Sequence, residues 1–265
     1  MKKLLVATTA LVTFAAAGVA GAADMHVKAP LKAPPPPILS WTGCYIGGNV
    51  GGKWARATDT WAASPAGFAG PAFISATGSN TMDGSGIIGG GTLGCNYQTS
   101  NVVFGLEGDF DWTSVTGSTD LTTANLGATQ IYHSDFAESW LATVRGRLGV
   151  TFNSWLVYAT GGLAIANISY TDAVFFAASR STDFGAASSA RTGWTVGGGL
   201  ETMFSGGWSF KAEYLFVDIL GPDFTQVNAL FPLATIGTTH ELKENIVRAG
   251  LNYRLNWGGP VTTRY

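Results

Sequence analysis

A strict alternation of apolar and polar side chains over residues 139–152 constrains the fold of this chain more than any other feature. Every second residue from Trp140 to Phe152 is apolar or glycine, whereas the interleaved residues include Arg145 and Arg147. Because successive side chains of a strand point to opposite faces, this period of two predicts a strand with one apolar and one charged face. Asn153-Ser154 is a two-residue turn signal, so the segment predicts a hairpin. Its arms reach the ~9–11 residues that cross a bilayer as a tilted strand.

The same alternation recurs along the chain and predicts an all-β fold of eight strands. We assign them to residues 41–56, 86–99, 102–113, 139–152, 155–169, 192–204, 208–217 and 245–255. Two-residue turns are predicted at 100–101, 153–154 and 206–207, and long polar connections at 57–83, 118–135, 171–190 and 221–243. Short turns on one rim and long loops on the other are typical of a transmembrane barrel. The expectation is an eight-stranded antiparallel up-and-down transmembrane β-barrel with short periplasmic turns and four long extracellular loops.

Composition indicates which face of these strands meets lipid. Charged residues are only 12% of the chain, against ~25% in soluble domains, so too few charges remain to solvate the outside of a soluble barrel. The strand charges have both signs and lie at central positions, which favours pairing inside a narrow lumen. The predicted lumen ion-pair network contains Lys53, Glu107, Asp109, Asp111, Arg145, Arg147, Glu201, Lys211, Glu213, Arg248 and Arg254.

The apolar phase is expected to face acyl chains. In the 155–169 strand and the residue that follows it, we place Leu156, Tyr158, Ile168 and Tyr170 in one phase. Aromatic residues near the strand ends are expected to form interfacial girdles. These are Trp54, Tyr97, Trp112, Trp140, Trp155, Trp194, Trp208 and Tyr253.

The first 40 residues precede the strands. Residues 1–23 have the pattern of a secretory signal peptide, with Lys2 and Lys3 at the start, an apolar centre and cleavage expected after Ala22 or Ala23; an N-terminal transmembrane helix is the alternative. Residues 24–40 are Pro-rich and predict a periplasmic linker, or a partner-binding proline motif. The barrel domain is assigned to 41–257 and a C-terminal extension to 258–265. Removal of the signal changes the formal charge from −2 to −4, so no basic stripe favours nucleic acid.

Cys44 and Cys95 are the two cysteines of the chain. Export to an oxidising compartment permits a disulfide. Both residues fall in the apolar phase of neighbouring strands near one rim, so we predict that they are bonded. Two unpaired thiols, or lipid modification of Cys44, are the alternatives.

The sequence predicts no catalytic, cofactor or metal site. The three histidines, His26, His133 and His240, fall in the linker and in two long connections, without ligand or triad spacing. The acidic run 107–111 could bind calcium. Alternation instead places its acids on the lumen face, which favours ion pairing.

Several motifs resemble one family over nearly the whole mature chain. They are WTGCYIGGNVGGKW at 41–54, IIGGGTLGCNYQ at 87–98, VFGLEGDFDW at 103–112, TVRGRLGV at 143–150, YATGGLA at 158–164 and IVRAGLNYRL at 246–255. The chain is similar to the alphaproteobacterial small outer-membrane barrels, the surface-antigen, opacity-protein-like or porin-family proteins related to the OmpA membrane domain. The resemblance implies an eight-stranded barrel with exposed loops. Members usually end on a strand whose last residue is Phe, whereas Leu255 stands here and residues 256–265 follow.

The function expected from these observations is that of an integral outer-membrane protein with a structural and surface-interaction role. An eight-stranded barrel has an interior that side chains can fill. A narrow porin-like channel is the second hypothesis, and a lipid-A-modifying enzyme the third. Expected partners are outer-membrane lipid and lipopolysaccharide, the barrel-assembly machinery, and host, phage or saccharide ligands of the loops, with no nucleic acid; no pattern identifies the ligand.

Overall fold

The protein is described by a computed structural model in which residues 40–64, 77–125, 128–176, 180–221, 223–227 and 235–255 are defined. The predicted signal peptide, almost all of the linker and the C-terminal extension lie outside these residues. The strands are β1 (Gly43–Ser64), β2 (Thr77–Thr99), β3 (Val102–Thr113), β4 (Thr116–Asn125), β5 (Ala128–Phe152), β6 (Trp155–Phe176), β7 (Ser181–Met203), β8 (Trp208–Leu220), β9 (Phe224–Val227) and β10 (Thr235–Leu255), with a 3-10 turn at Ser205–Gly207. Among the described residues no helix combines the length and apolar character that a membrane-spanning helix requires.

Eight of these strands close into a ring, which confirms the predicted barrel. Each pairs antiparallel with the strand before and after it, and the ring closes because β1 pairs with both β2 and β10. The two remaining strands are short additions: β4 pairs mainly with β5, and β9 pairs with β10. Closure satisfies the backbone ladder on every side, which a sheet in lipid requires.

The three short turns are found where they were predicted. Ser100 and Asn153 have φ values of 54° and 55°, and Gly206 and Gly207 have 78° and 83°. Positive φ is accessible to glycine without steric cost and is tolerated by asparagine. These turns therefore allow the chain to reverse within two or three residues on the rim that also holds both ends of the barrel.

The long connections contain far more strand than predicted. The described parts of 57–83 belong to β1 and β2, 118–135 forms most of the β4–β5 hairpin, and β6, β7 and β10 extend into the other two connections. The sequence pattern fails here because the outward side chains are polar, as at Thr58 and Thr60, so the apolar alternation disappears while the ladder continues. The described strands thus extend past the level at which the outer face ceases to be apolar.

An apolar belt surrounds the outer face between two sets of aromatic residues. Trp112 pairs with Trp140 at the level facing the long connections, and Trp208 pairs with Tyr253 near the short turns. Exposed apolar side chains lie between these levels, including Val50, Ile87, Leu93, Leu106, Val144, Leu148, Leu163, Val196, Leu200, Val247 and Leu251. On β1 the belt ends at Trp54, because the next outward residue is the exposed Arg56. This arrangement matches the lipid-facing band and girdles of outer-membrane barrels.

The four apolar residues assigned to one phase of β6 do share a face, but the expectation that this face meets lipid is wrong. Leu156, Tyr158, Ile168 and Tyr170 are buried in the lumen, whereas Trp155 and other residues of the opposite phase face outward. The lumen holds apolar layers as well as polar ones, so apolar character alone does not identify the lipid face. Its apolar cluster towards the long connections contains Ala55, Ala57, Met82, Ile88, Val115, Phe136, Leu141, Ala164, Ala166, Ile168, Tyr170, Leu215, Val217, Ile219, Leu242 and Ile246.

A bulge in β5 reverses the facing of the strand. Glu138 pairs with Ile168 and Trp140 with Asn167, which leaves Ser139 without a partner position on β6. Such an extra residue shifts the side-chain phase. Glu138 and Trp140 therefore point to opposite faces, the first into the lumen and the second outward.

Candidate functional site

The centre of the lumen is a dense ion-pair network around two arginines from opposite sides of the barrel. Arg145 on β5 donates to Glu107 Oε1 at 2.6 Å, Asp109 Oδ2 at 2.5 Å and Glu213 Oε1 at 3.0 Å. Arg248 on β10 contacts Asp109, at 3.0 Å, and Glu213, at 2.6 Å, and donates to Asp111 at 2.8 Å. All of these side chains are buried. Shared carboxylates join the two arginines into one unit across the barrel axis.

A second group lies next to this unit, towards the short turns. Arg147 donates to Glu201 Oε2 at 2.7 Å and to the Tyr45 hydroxyl at 2.6 Å, and its guanidinium lies 3.8 Å from the centre of the Tyr158 ring. The Tyr45 hydroxyl donates in turn to Glu107 Oε2 at 2.6 Å. Lys211 adds a 3.0 Å hydrogen bond to the same carboxylate. Glu107 therefore links the two groups.

Neutral polar side chains complete the network. Asn49 donates to Asp111, and Thr92 and Thr143 both donate to Asp109. Ser209 and Asn252 both donate to Glu201. Burying charges is costly, and close pairing with additional hydrogen bonds offsets the cost. The network therefore fills the middle of the lumen with charges that are paired and extensively hydrogen-bonded.

Lys53 lies apart from the other predicted lumen charges. Its Nζ contacts Glu138 Oε2 at 2.5 Å and Glu244 Oε1 at 2.8 Å, and all three side chains are fully buried. Neither glutamate was among the predicted residues. Glu244 shares the phase of Arg248, so a longer strand assignment would have found it. Glu138 shares the lumen with them only because of the bulge.

Arg254 was predicted in the network, and the structure places it elsewhere. It lies half-buried near the end of β10, where its guanidinium donates to the Ser40 backbone carbonyl. Within the described ranges it makes no ion pair. The reason is its level: it pairs with Tyr45 near the barrel mouth, beyond the last acidic layer.

The outer polar cluster, which we define as Asp59, Ser134, Asp172 and His240, was not predicted. Asp59 on β1 is the register partner of His240 on β10, and Ser134 on β5 is the register partner of Asp172 on β6. The side chains of these two pairs come together inside the lumen. Asp59 lies five positions beyond Trp54, about 16 Å further along β1, and therefore outside the apolar belt. Extending the phase of Lys53 along β1 would have identified it as a lumen residue.

Short contacts hold the cluster together. His240 Nε2 lies 3.5 Å from Asp59 Oδ1 and 3.6 Å from Asp172 Oδ2. The one hydroxyl hydrogen of Ser134 is shared between Asp172 Oδ1, 2.5 Å away, and Asp59 Oδ2, 3.1 Å away. All four residues are buried. Burial raises the pKa of the Asp59 carboxyl to about 6, while the nearby imidazole opposes this shift. The cluster thus places two carboxylates close together in a buried environment.

The two cysteines lie opposite each other on β1 and β2, and the Cys44 and Cys95 sulfur atoms are bonded at 2.05 Å. They are on the outward side, near the short-turn rim. The bond links two strands that are separated by 51 positions in sequence.

Comparison with known proteins places this barrel in a family. Residues 9–254 match the family described as the outer membrane protein β-barrel domain. The chain belongs to that family. The 31 kDa outer-membrane immunogenic protein of Brucella melitensis is 31% identical over 261 residues, which cover 96% of this chain and all of that protein. The 22 kDa outer membrane protein of Rhizobium leguminosarum bv. viciae is 26% identical and covers 84% of this chain, with 82% of that protein aligned.

Solved structures are more distant. The outer membrane protease OmpT of Escherichia coli covers 83% of this chain and 99% of its own, with a TM-score of 0.47 and 9% identity. We draw no activity from that likeness. The family and its relatives establish that this chain is a β-barrel protein of the outer membrane, as the motifs predicted.

Proposed function

We propose that this outer-membrane barrel is a closed structural protein that uses its extracellular strand extensions for contacts at the cell surface. The observation that carries this proposal is the filled lumen. The proposed surface role also accounts for strands that continue well past the apolar belt, because these extensions are not needed to span the membrane.

The lumen is occupied at successive levels by unlike layers. Near the short turns, Trp41, Val103, Leu156 and Tyr158 pack together. The ion-pair network fills the middle, and the apolar cluster and the outer polar cluster follow towards the long connections. An ion crossing this interior would have to separate buried charge pairs and then enter an apolar layer, and each step is costly. These layers support closure and weigh against the narrow-channel alternative.

The extensions present surface that could bind a partner. Ile131 and Phe175 pair on the outer wall beyond the belt. Phe184 on β7 pairs with Ala173, two residues from Phe175 on the same face. The Ile131, Phe175 and Phe184 side chains are all exposed. Exposed apolar groups of this kind suit contact with another molecule. Host, phage or saccharide ligands therefore remain the proposed partners of the extensions, with lipid and lipopolysaccharide around the belt and the barrel-assembly machinery during insertion.

Planar-bilayer recording tests closure. We expect purified protein to give no steady conductance steps under conditions in which a diffusion porin inserted from the same detergent conducts. The change of electrophoretic mobility on boiling verifies that the protein is folded, and its recovery with the lipid after reconstitution into vesicles verifies insertion. Regular unitary steps from the wild-type protein would contradict the proposal and favour the channel.

Trypsin treatment of intact cells tests the surface placement. Within the described segments, four basic residues lie beyond the belt: Arg56, Arg180, Arg191 and Lys243. Arg180 is exposed in the turn before β7 and has a φ of 53°, whereas the other three lie within paired strands. We expect early cleavage after Arg180 alone, and the variant Arg180→Gln to resist. Cleavage only after the outer membrane is permeabilised would mean that this end is periplasmic.

We also propose that the protein is not an enzyme. His133 and His240 are the histidines within the described residues; the first binds two carboxylates on the outer wall and the second is fully buried. Neither is presented with a nucleophile in an open cleft. Altered lipid A in a deletion strain, restored by the wild-type gene, would contradict this assignment.

A further inference from the structure

We propose that the outer polar cluster binds one divalent transition-metal ion of the zinc class through Asp59, Asp172 and His240. This inference rests on the fold and on the geometry of the cluster, and it is independent of the proposed surface role.

The donor atoms of the three residues lie close together inside the lumen. One nitrogen or oxygen atom from each lies within 4.8 Å of the others. The imidazole Nε2 is 3.5 and 3.6 Å from the two carboxylates, longer than the 2.7–3.2 Å of an N–H···O hydrogen bond. Two ligands held 2.0–2.1 Å from one tetrahedral zinc ion lie about 3.3 Å apart. The spacing therefore resembles that of atoms sharing an ion more than that of directly bonded partners.

The charge of the cluster also favours a cation. Two carboxylates face each other across the lumen, and Asp59 Oδ1 is buried and accepts no hydrogen bond from the described residues. Buried charges in proteins are paired or coordinate metals, and here two carboxylates share the one imidazole of His240. A doubly charged ion would neutralise both carboxylates at once.

Ser134 supports the ligands from behind. Its hydroxyl contacts Asp59 Oδ2 and Asp172 Oδ1, the atoms that do not approach His240. The Tyr170 ring lies 4.1 Å from the imidazole, measured between ring centres, and fixes its plane. Outer groups of this kind orient metal ligands, and their loss costs 10–100-fold in affinity.

The donor set selects among ions. Imidazole and carboxylate suit zinc and other first-row divalent ions, whereas calcium takes 6–8 oxygen ligands and magnesium retains several waters. The site is also enclosed. Trp61 and Tyr132 are the next lumen residues outward on β1 and β5, and their rings pack 5.4 Å apart. Loading is therefore expected during folding.

Zinc content after refolding tests the proposal. The full chain is refolded in detergent with equimolar Zn²⁺, freed of loose metal, and analysed for bound zinc; its fold is verified by the mobility change on boiling. We expect about one zinc per chain, undisplaced by excess Ca²⁺ or Mg²⁺, and at least a tenfold loss in His240→Gln. His133→Gln is the matched control, because His133 also contacts two aspartates but on the exposed wall, and it should retain the zinc.

Ser134→Ala keeps all three ligands and covers the case in which His240→Gln fails to fold. We expect its affinity for zinc to fall 10–100-fold. X-ray absorption at the zinc edge should show a shell of nitrogen and oxygen near 2.0–2.1 Å. Folded wild-type protein without zinc would overturn the proposal. Protons would then be the charges that neutralise the two carboxylates. Zinc lost in His133→Gln but retained in His240→Gln, or an unchanged affinity in Ser134→Ala, would overturn it as well.

Discussion

At the scale of single residues, Arg145 and Leu148 show how one strand serves two environments. They lie three positions apart on β5, yet Arg145 has no solvent exposure and touches three carboxylates, whereas Leu148 is 54% exposed on the outer belt. The pleat places them on opposite faces. A substitution on β5 should therefore be judged first by the face it lies on.

An arginine on the lipid face tests this assignment. We expect Leu148→Arg to lower the free energy of unfolding by about 2–4 kcal/mol, because a charge near the bilayer midplane is poorly solvated. Thr60→Arg is the matched control, since Thr60 is exposed on β1 beyond the belt and the change should be within ~0.5 kcal/mol. Urea unfolding in lipid vesicles, followed by tryptophan fluorescence, measures both. Equal effects would argue that the belt is misplaced.

Thr143 would be a poor control for that experiment. Its place in the lumen-facing phase of the sequence suggests that an arginine would be tolerated there, but its contacts in the structure argue against this. It is buried, donates to Asp109 and accepts from Arg145 Nε at 3.1 Å. An arginine at this position would have to enter a filled lumen and would also destabilise the barrel.

Glu107 tests the strength of the ion-pair network. Its carboxylate contacts Arg145, Arg147 and Lys211. The two arginines keep other carboxylates, but Glu107 is the one ion-pair partner of Lys211 among the described residues, so Glu107→Gln leaves the buried Lys211 ammonium uncompensated. We expect a loss of about 3–5 kcal/mol, measured by the same unfolding assay. Asp83→Asn breaks an exposed pair with Arg56 and should change nothing measurable. A neutral result at Glu107 would mean that the other carboxylates compensate fully.

At the scale of elements, the β4–β5 hairpin shows how the strand extensions beyond the belt hold together without lipid. Its outer wall carries His133, whose Nδ1 lies 2.6 Å from Asp120 Oδ1 and whose Nε2 lies 2.8 Å from Asp135 Oδ2. A neutral imidazole can donate from only one nitrogen. The protonated ring therefore suits this position better.

The hairpin should consequently depend on pH. The hydrogen bond to Asp120 raises the pKa of His133 above its ordinary value of 6.5. Because the folded pKa is the higher one, the stabilisation is present below 6.5 and is lost as pH rises through the folded value. We expect the imidazole NMR titration to lie above 6.5 and to shift down in Asp120→Asn. Amide protection factors in the hairpin should fall across the same pH range.

The protection factors of β8, which has no histidine, provide the internal reference for that measurement. A His133 titration at or below 6.5, or equal changes in both elements, would contradict the assignment.

At the scale of the whole molecule, the disulfide and the ring closure act on the same strand. β1 is bonded to β2 through Cys44 and Cys95 and hydrogen-bonded to β10, so the bond keeps the closing strand near its place. Cross-linking 51 positions apart is worth about 4 kcal/mol in the chain-entropy model.

Replacing both cysteines by serine tests that contribution. We expect the Cys44→Ser, Cys95→Ser variant to unfold at lower urea, by up to ~4 kcal/mol, while still showing the mobility change on boiling. Wild-type protein should respond to reductant in a free-thiol assay and the variant should not. Equal stability of the two proteins, with free thiols in the wild type, would show that Cys44 and Cys95 are not bonded.

The sequence by itself determined the features that depend on local periodicity. Alternation along 139–152 and its repeats defined the eight ring strands, the two-residue turns and most of the lipid belt, because a strand exposes its two faces within a few residues of chain. The placement of Lys53, Glu107 and Arg248 on the lumen face followed in the same way.

The tertiary structure decided what depends on register between distant strands. The bulge at Ser139 turned Glu138 towards Lys53, the level of Arg254 separated it from the acids, and β6 faced its apolar phase inward. The outer polar cluster arose because Asp59, Ser134, Asp172 and His240 reach the same level from four strands. The side-chain periodicity of one strand shows which residues face the lumen, but it does not give the register between that strand and a distant one. That register determines which buried charges lie at the same level and become partners.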